Sequence, residues 1–395
     1  MKIFVTGIGA ISAIGNNCNE IFHSLKNGIS GISKLEFLKT IHSEFPCGEI
    51  KMDYNQLADF AGFDNQKTLV RTPLLGLIAV KEALNSAKLY SKSDLKIAFV
   101  SGTTVGGMDR MEQFYDDFVN NDSKNFYLYP HDIGDSTEFI AENIGLFSSV
   151  MSISTACSSG ANSLIIGAEL IKSGRFDIVV AGGAESLSLY HFNGFNSLKI
   201  LSAEMCRPFD NFRSGLNLGE GAGYLVLESE KAVTQRNAKP LCLLQGYANT
   251  CDAYHQTATS ENGDGPFLAM QKALELGGLK PSDIDYINCH GTATPNNDLT
   301  EGRAMKRIFG ENMPDFSSTK AFTGHTTSAS GGLESVISVM CLVNDFLPIN
   351  LNFHDPIPEL NISPLTENKT KVLHHVMNNS FGFGGNDSSL IFSKI

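Results

Sequence analysis

One of the eight cysteines in this 395-residue chain (positions 18, 47, 157, 206, 242, 251, 289 and 341) stands where a sulfur could act as a nucleophile. Cys157 lies in STACSSGANSLIIGAELIKSG (154–174), among the small residues Thr155, Ala156, Ser158, Ser159 and Gly160. The apolar-periodic run Leu164, Ile165, Ala168, Leu170, Ile171 follows it, and Val150 to Ile153 precede it as a short buried strand. This pattern predicts a sharp strand-to-helix turn with the thiol at the helix start. Unpaired N–H groups and the positive helix end there favour thiolate over thiol. The same elbow serves serine hydrolases, and small neighbours leave room for a group to approach the sulfur. On this stretch alone an inert buried thiol is an equally good reading.

The second half holds three segments that a cysteine nucleophile could use. In CHGTATPNNDLTE (289–301), His290 follows a buried strand; in SSTKAFTGHTTSASGGLES (317–335), Lys320 and His325 sit among small residues before a helix. NSFGFGGNDSS (379–389) is a glycine loop around Phe383 that can present backbone N–H groups. Taken singly, a histidine at a strand end or a glycine loop is ordinary structure. A Lys320–Glu334 pair would contribute little at a surface.

Composition narrows the rest. Apolar residues make up 42% and charged residues 18%, which describes a compact soluble chain long enough for two domain-sized units. The net charge of −12 argues against nucleic acid as a partner, and an acidic partner would need a local basic patch. The cysteines show no CxxC pair and no zinc spacing with histidine, so they read as reduced thiols of a cytoplasmic protein without a metal. MKIFVTGIGAISAIG reads as a first strand, not a signal peptide, and no apolar run approaches a membrane span. Glycines 7, 9 and 15 do not fit a dinucleotide fingerprint, so GIGAISAIG is read as a glycine-rich turn after a strand Lys2–Thr6.

The elements that must position the reactive groups alternate between strand and helix. Leu74–Leu84 reads as an amphipathic helix, Lys96–Val100, Ile178–Ala181, Gly223–Glu228 and Leu241–Gly246 as strands, and 111–145 as a cap over a site. A faint repeat relates VKEALNSAKLYSKSDLKIAFVSGTT (80–104) to MQKALELGGLKPSDIDYINCHGTAT (270–294): helix, Ser-Asp turn, strand, Gly-Thr. Two halves follow, 1–239 with the nucleophile and the cap, and 240–395 with both histidines and the Phe383 loop. Without a linker between them they should share one interface.

The motifs together carry a resemblance that runs end to end: VTGIGAISAIG, TACSSG, AGGAE, RPFD, LGEGAGYLVLE, DAYHQTA, HGTATPNND, STKAFTGH and NSFGFGG, in this order. The chain resembles the elongating β-ketoacyl-acyl-carrier-protein synthases, type II condensing enzymes of the thiolase superfamily. The resemblance implies a thiolase-like α/β fold, two duplicated βαβαβαββ halves in an α-β-α-β-α layered structure. It also implies a decarboxylative condensation of malonyl-carrier protein with an acyl chain on Cys157. His290 and His325 match the histidine pair of a Cys-His-His triad, Lys320 the supporting lysine and Glu334 its partner. Phe383 matches the gating phenylalanine, and its N–H, with that of Cys157, an oxyanion hole. Thr292 and Thr294 match the hydroxyls on the phosphopantetheine arm, while Val105 and Phe195 fall where the family lines its acyl channel.

No cofactor of its own is implied, since substrates ride on the carrier's phosphopantetheine. The expected partners are acyl-carrier protein, docked on Lys67 and Arg71 with Arg207 and Arg213 as further candidates, and a second copy of the chain. Degradative thiolases carry a second cysteine in the final loop, which this chain lacks. Initiating enzymes use His and Asn. Chain-length-factor-like subunits lack the nucleophile, and a non-catalytic partner subunit is the alternative reading. Two departures from the family's pattern, TTSASGG after His325 and Asp387 where Asn is usual, leave the pathway open between fatty acids and a specialised polyene or polyketide chain.

Overall fold

A computed structural model describes residues 1–63, 69–91, 94–120 and 131–395. The first part of the chain forms β1 (Ile3–Ser12), α1 (Cys18–Lys26), α2 (Tyr54–Ala61), α3 (Arg71–Ser86), β2 (Ile97–Gly102), α4 (Met108–Asn120), α5 (Ile133–Ile144), β3 (Ser149–Ile153), α6 (Ser159–Lys172), β4 (Ile178–Glu185), α7 (Leu189–Ser197), β5 (Gly221–Ser229) and α8 (Glu230–Arg236). The second part forms β6 (Cys242–Cys251), α9 (Asp264–Gly277), β7 (Tyr286–Asn288), α10 (Pro295–Phe309), β8 (Asp315–Ser317), α11 (Lys320–Thr323) and α12 (Ser330–Asn344). A short ribbon of β9 (Phe346–Leu347) and β10 (Lys369–Thr370) and the hairpin β11 (His375–Gly382) with β12 (Asn386–Ser393) complete it.

The ten long-sheet strands run in the order β3-β2-β4-β5-β1-β6-β12-β11-β7-β8. The order repeats itself about the β1–β6 junction. β2 lies parallel to β3 and β4, and β5 antiparallel to β4 and β1; likewise β7 lies parallel to β8 and β11, and β12 antiparallel to β11 and β6. The repeat seen in the sequence maps onto equivalent pieces, α3 with β2 and α9 with β7.

The helices form three layers around the two halves of the sheet. α3 packs on the outer face of β1, β5 and β4, and α9 on the outer face of β6 and β12. Between the sheet halves lie α6 and α12, packed on each other and on strands of both sides. Their approach is close enough that a Cβ on Gly160 would sit 2.5 Å from the backbone N of Gly332, and one on Gly331 would sit 2.4 Å from the N of Ala161. Only glycine permits such backbone contact. Both helices therefore start at the same place in the middle of the molecule.

Several expectations change. GIGAIS is not a turn but the body of β1, and its glycines serve packing: a Cβ on Gly7 or Gly9 would meet the carbonyl oxygens of Ala83 or Ala79 in α3 at 2.3 or 2.1 Å. α3 is buried on nearly every side from Arg71 to Val80 and so is not amphipathic, because α2 and α5 cover the face turned from the sheet. β3 is not buried. It is an edge strand with β2 as its one neighbour, and Val150 is 38% exposed.

Arg71 is likewise no surface residue. Its Nε and NH2 groups donate to the two carboxylate oxygens of Glu220 at 2.7 and 2.6 Å, and its remaining N–H groups bind the carbonyls of Met52 and Ile50. At 5% exposure it cannot meet a carrier protein, while Lys67 lies outside the described residues. The bidentate pair instead fastens the 50–52 segment to the Glu220 turn. Arg71→Ala leaves a buried carboxylate unpaired and is expected to lower unfolding stability by about 3–5 kcal/mol. Denaturant titration checks this; a loss below about 1 kcal/mol, typical of an exposed pair, would contradict it.

Candidate active site

Cys157 sits on a strained elbow between β3 and α6. Ala156 adopts φ +51°, a left-handed conformation that costs a non-glycine residue roughly 1–2 kcal/mol. The small polar neighbours hold it there. Ser158 Oγ donates to the Thr155 carbonyl (2.8 Å), Ser159 Oγ to the Ala156 carbonyl (2.7 Å), and Asn162 Nδ2 to Thr155 Oγ1 (2.8 Å). The backbone N–H groups of Phe383 and of Cys157 itself favour negative charge on the sulfur, as does Lys320. Burial outweighs all three and pushes the thiol up to about 11. The expected thiolate is thus corrected: removal from water costs the anion more than the helix end returns.

The two histidines reach this sulfur from the second half. His325 follows α11, and its backbone N–H donates to the Asn217 carbonyl (2.7 Å) while its carbonyl accepts from Gly219 (3.0 Å). Its Nε2 lies 3.1 Å from Cys157 Sγ. The Thr327 N–H donates to Nδ1 (3.3 Å), and Ser330 Oγ is 2.9 Å from the same nitrogen. Nδ1 therefore accepts, and Nε2 carries the hydrogen that points at the sulfur. The unusual TTSASGG segment supplies these contacts. Its Ser328 also binds Glu185, which takes N–H and O–H bonds from Thr103, Thr104 and Val105.

His290 leaves β7 with its own N–H and that of Gly291 clasped by the Glu301 carboxylate at 2.9 and 2.8 Å. Its ring lies 5.3 Å from that of His325, edge to face. Lys320 Nζ is 3.4 Å from His290 Nδ1 and 2.5 Å from Glu334 Oε1. An ammonium has only donors, so this Nδ1 also accepts, and Nε2–H is again the free donor. Burial, then the Lys320 charge, hold both imidazoles well below their ordinary value, so both are neutral. Burial pushes Glu334 up to about 7 against the pull of Lys320.

These groups open on a cavity of about 330 Å³. Phe383, on the turn between β11 and β12, stacks on Phe195 of α7 at 5.8 Å between centroids, and Phe195 meets the His325 ring edge-on at 6.4 Å. Thr292 and Thr294 line the opposite wall with hydroxyls 2.9 Å apart. Val105 is not among the lining residues; it is fully buried, with its N–H turned to Glu185. The described residues of 111–145 do not line the cavity either. They form α4 and α5, and α5 packs on α3 and β3.

The cap is built instead from the turn at Phe383 and from His255, Thr257 and Thr259 in the segment after β6. That segment contains DAYHQTA, a motif visible in the sequence, but its distance along the chain from the other lining residues hid its place. Arg213 binds the carbonyls of Thr294 and Pro295 at the cavity rim, and Arg207 pairs with Glu204 (3.1 Å). Chemically, a cavity with one buried thiol, two fixed imidazole N–H donors and two backbone N–H donors suits acyl transfer through two separate oxyanions.

Comparison with known proteins agrees with this arrangement. The N-terminal domain of beta-ketoacyl synthases matches residues 1–232, and the C-terminal domain of beta-ketoacyl synthases matches residues 241–354. A 3-oxoacyl-[acyl-carrier-protein] synthase 2 of Synechocystis sp. is 33% identical, over 100% of this chain and 98% of that protein. One of Staphylococcus aureus is 32% identical with the same coverage. Among solved structures, the ishigamide ketosynthase/chain length factor superposes with a TM-score of 0.93 at 27% identity, covering 100% and 99% of the two chains. A ketosynthase in complex with its chain length factor from Xenorhabdus doucetiae gives 0.86 at 30% identity, covering 100% and 98%. The expected thiolase-like α/β fold is the observed one, and this chain belongs to the β-ketoacyl synthase family.

Proposed function

We propose that this chain elongates acyl chains by decarboxylative condensation of malonyl-acyl-carrier protein with an acyl group held on Cys157. One observation carries the reading: the thiol and two imidazoles from the other half of the chain converge on one cavity, with Nε2 of His325 3.1 Å from the sulfur. The names of the curated relatives support elongation in fatty acid synthesis. The ketosynthase neighbours support the same chemistry in polyketide-type systems.

Cys157 attacks the incoming thioester, and its proton leaves with the departing phosphopantetheine sulfur. The backbone N–H groups of Cys157 and Phe383 hold the tetrahedral oxyanion. Malonyl thioester then binds along Thr292 and Thr294. The bond between its methylene carbon and its carboxylate breaks, CO2 departs, and the electron pair moves onto the thioester oxygen between His290 Nε2–H and His325 Nε2–H. The carbanion attacks the Cys157 thioester, the Cys157 sulfur is expelled as a thiolate, and it takes up from solvent the one proton that the overall reaction consumes. Each such oxyanion donor contributes about 10²–10³ in rate in comparable sites. Lys320, paired with Glu334, fixes the His290 tautomer and so acts as a positioning residue.

Acyl-carrier protein docks, in this reading, on Lys199 at the cavity mouth, which is exposed and lines the opening. The reaction takes place in the cytoplasm, and we infer a dimer through the open edge of β3. Ketosynthases paired with chain length factors among the neighbours favour one alternative, a partner subunit without catalysis. The complete Cys157–His290–His325 set weighs against it.

Four outcomes test the reading. Incubation with acyl-carrier substrate adds an acyl mass to the Cys157 peptide. His290→Ala keeps that label while condensation falls about 10²–10³-fold, and an unlabelled wild-type protein would favour the partner-subunit alternative. With the thiol pushed up to about 11, its alkylation by iodoacetamide keeps rising with pH up to about pH 9; a rate that levels off near neutrality would show a thiolate instead. Lys199→Glu weakens carrier binding and flattens its dependence on salt, and unchanged affinity removes Lys199 from the docking surface.

A further inference from the structure

Two carboxyl groups lie side by side beneath the cavity roof, and one has an unanswered oxygen. Asp387, in β12, is 1% exposed, and its Oδ2 has no hydrogen-bond partner. A Cβ built on Gly265 at the start of α9 would lie 2.0 Å from that oxygen and 2.7 Å from Cβ of Asp252, so both acids flank the same glycine. Asp252 has its donors already: the Ser260 N–H (2.6 Å), the Ser260 hydroxyl (2.7 Å) and the Gly265 N–H (3.0 Å). The helix N–H nearest to Asp387 is therefore taken.

The surroundings of Asp387 offer little compensation for a charge. Burial, then Asp252 at the end of β6, then Glu301 of α10 all oppose its ionisation and push it up to about 8. On α9, Asp264 turns to Arg307 (2.7 Å). From α12, Glu334 is engaged by Lys320. α6 presents the neutral Asn162 to Ser388 (2.8 Å), and β11 presents Phe381 opposite Asp387 and Asn379 bonded to Glu301. Folded and unfolded states differ accordingly. The native state holds a proton that an unfolded aspartate gives up near pH 4, so the stability gained from it is lost as pH rises to about 8.

The backbone beside these acids ties the roof together. The Asp252 N–H donates to the Gly385 carbonyl (2.9 Å), and the Gly384 N–H to the Gln256 carbonyl (2.8 Å). These bonds join the Phe383 turn to the 252–260 segment that carries His255, Thr257 and Thr259. Phe381, paired with Asp387 across the hairpin, is 5.8 Å from the His290 ring. We propose that Asp387 is a positioning residue that closes the cavity roof as a neutral acid, and that loss of its proton repels Asp252, parts the two roof segments and exposes Cys157. The proposal rests on Cys157 being the reacting sulfur beneath that roof.

The test compares iodoacetamide labelling of Cys157 in the wild type and in Asp387→Asn between about pH 6 and about pH 9, read by peptide mass. Asparagine keeps the shape without the charge, and the titration of the thiol is common to both proteins. The wild-type to variant rate ratio is expected near one at the acid end and severalfold above one at the alkaline end. A ratio that stays flat or falls overturns the proposal. Should the variant not fold, the wild type alone decides. Its labelling rate must climb more steeply than about tenfold per pH unit near pH 8, since opening adds to thiol ionisation, and a slope of about tenfold overturns it. Labelling needs no carrier protein, so a protein that shows this pH response but never accepts an acyl group refutes the condensing reading and leaves the roof switch standing.

Discussion

Everything in the site depends on two helices meeting backbone to backbone. α6 and α12 cross where Gly160, Gly331 and Gly332 leave no space for a side chain. This contact puts the beginning of each helix at the centre of the molecule. The residues just before those beginnings are the Cys157 elbow and the His325 turn, which belong to different halves of the chain. A Cβ at the crossing would separate sulfur and imidazole by more than a hydrogen bond can span.

Burial sets the electrical state of the groups so assembled. In water the thiol would be partly ionised and the imidazoles partly protonated near neutrality. Inside, burial drives both toward neutrality, raising the thiol and lowering the rings, and the Lys320–Glu334 pair supplies the nearest fixed charge. The result is a set of neutral groups whose N–H bonds are aimed by accepting contacts behind them. Such donors act without reorganising when negative charge develops. The aromatic pair Phe195–Phe383 stacks over this group, with Phe195 edge-on to the His325 ring.

The same economy of space explains the ion pairs and lone acids around the site. Arg71 and Glu220 satisfy each other and stitch distant segments, and Lys320 pairs with one oxygen of Glu334 beside the histidines. Asp387 has no such partner, and a buried carboxyl without a cation keeps its proton. The acid at position 387 thereby places a titrating group beside the turn that carries Phe383.

Local order was legible in the sequence because it is written in spacing. The elbow around Cys157, the histidines at the ends of their segments and the repeated helix–turn–strand unit follow from near neighbours and short periods, whereas the pairing of Lys320 with Glu334 came from the resemblance. What neighbours cannot express is solvent. Whether Cys157 is thiol or thiolate, whether Arg71 faces a partner or a buried glutamate, whether β3 is covered, and whether Val105 touches the cavity are questions of what lies on the far side of each residue. Those far sides come from elements up to some hundreds of positions away, as with Thr6 and Glu228 across |i−j| = 222. The chain by itself determined which groups could react; burial by distant segments decided their charge, their partners and their access to water.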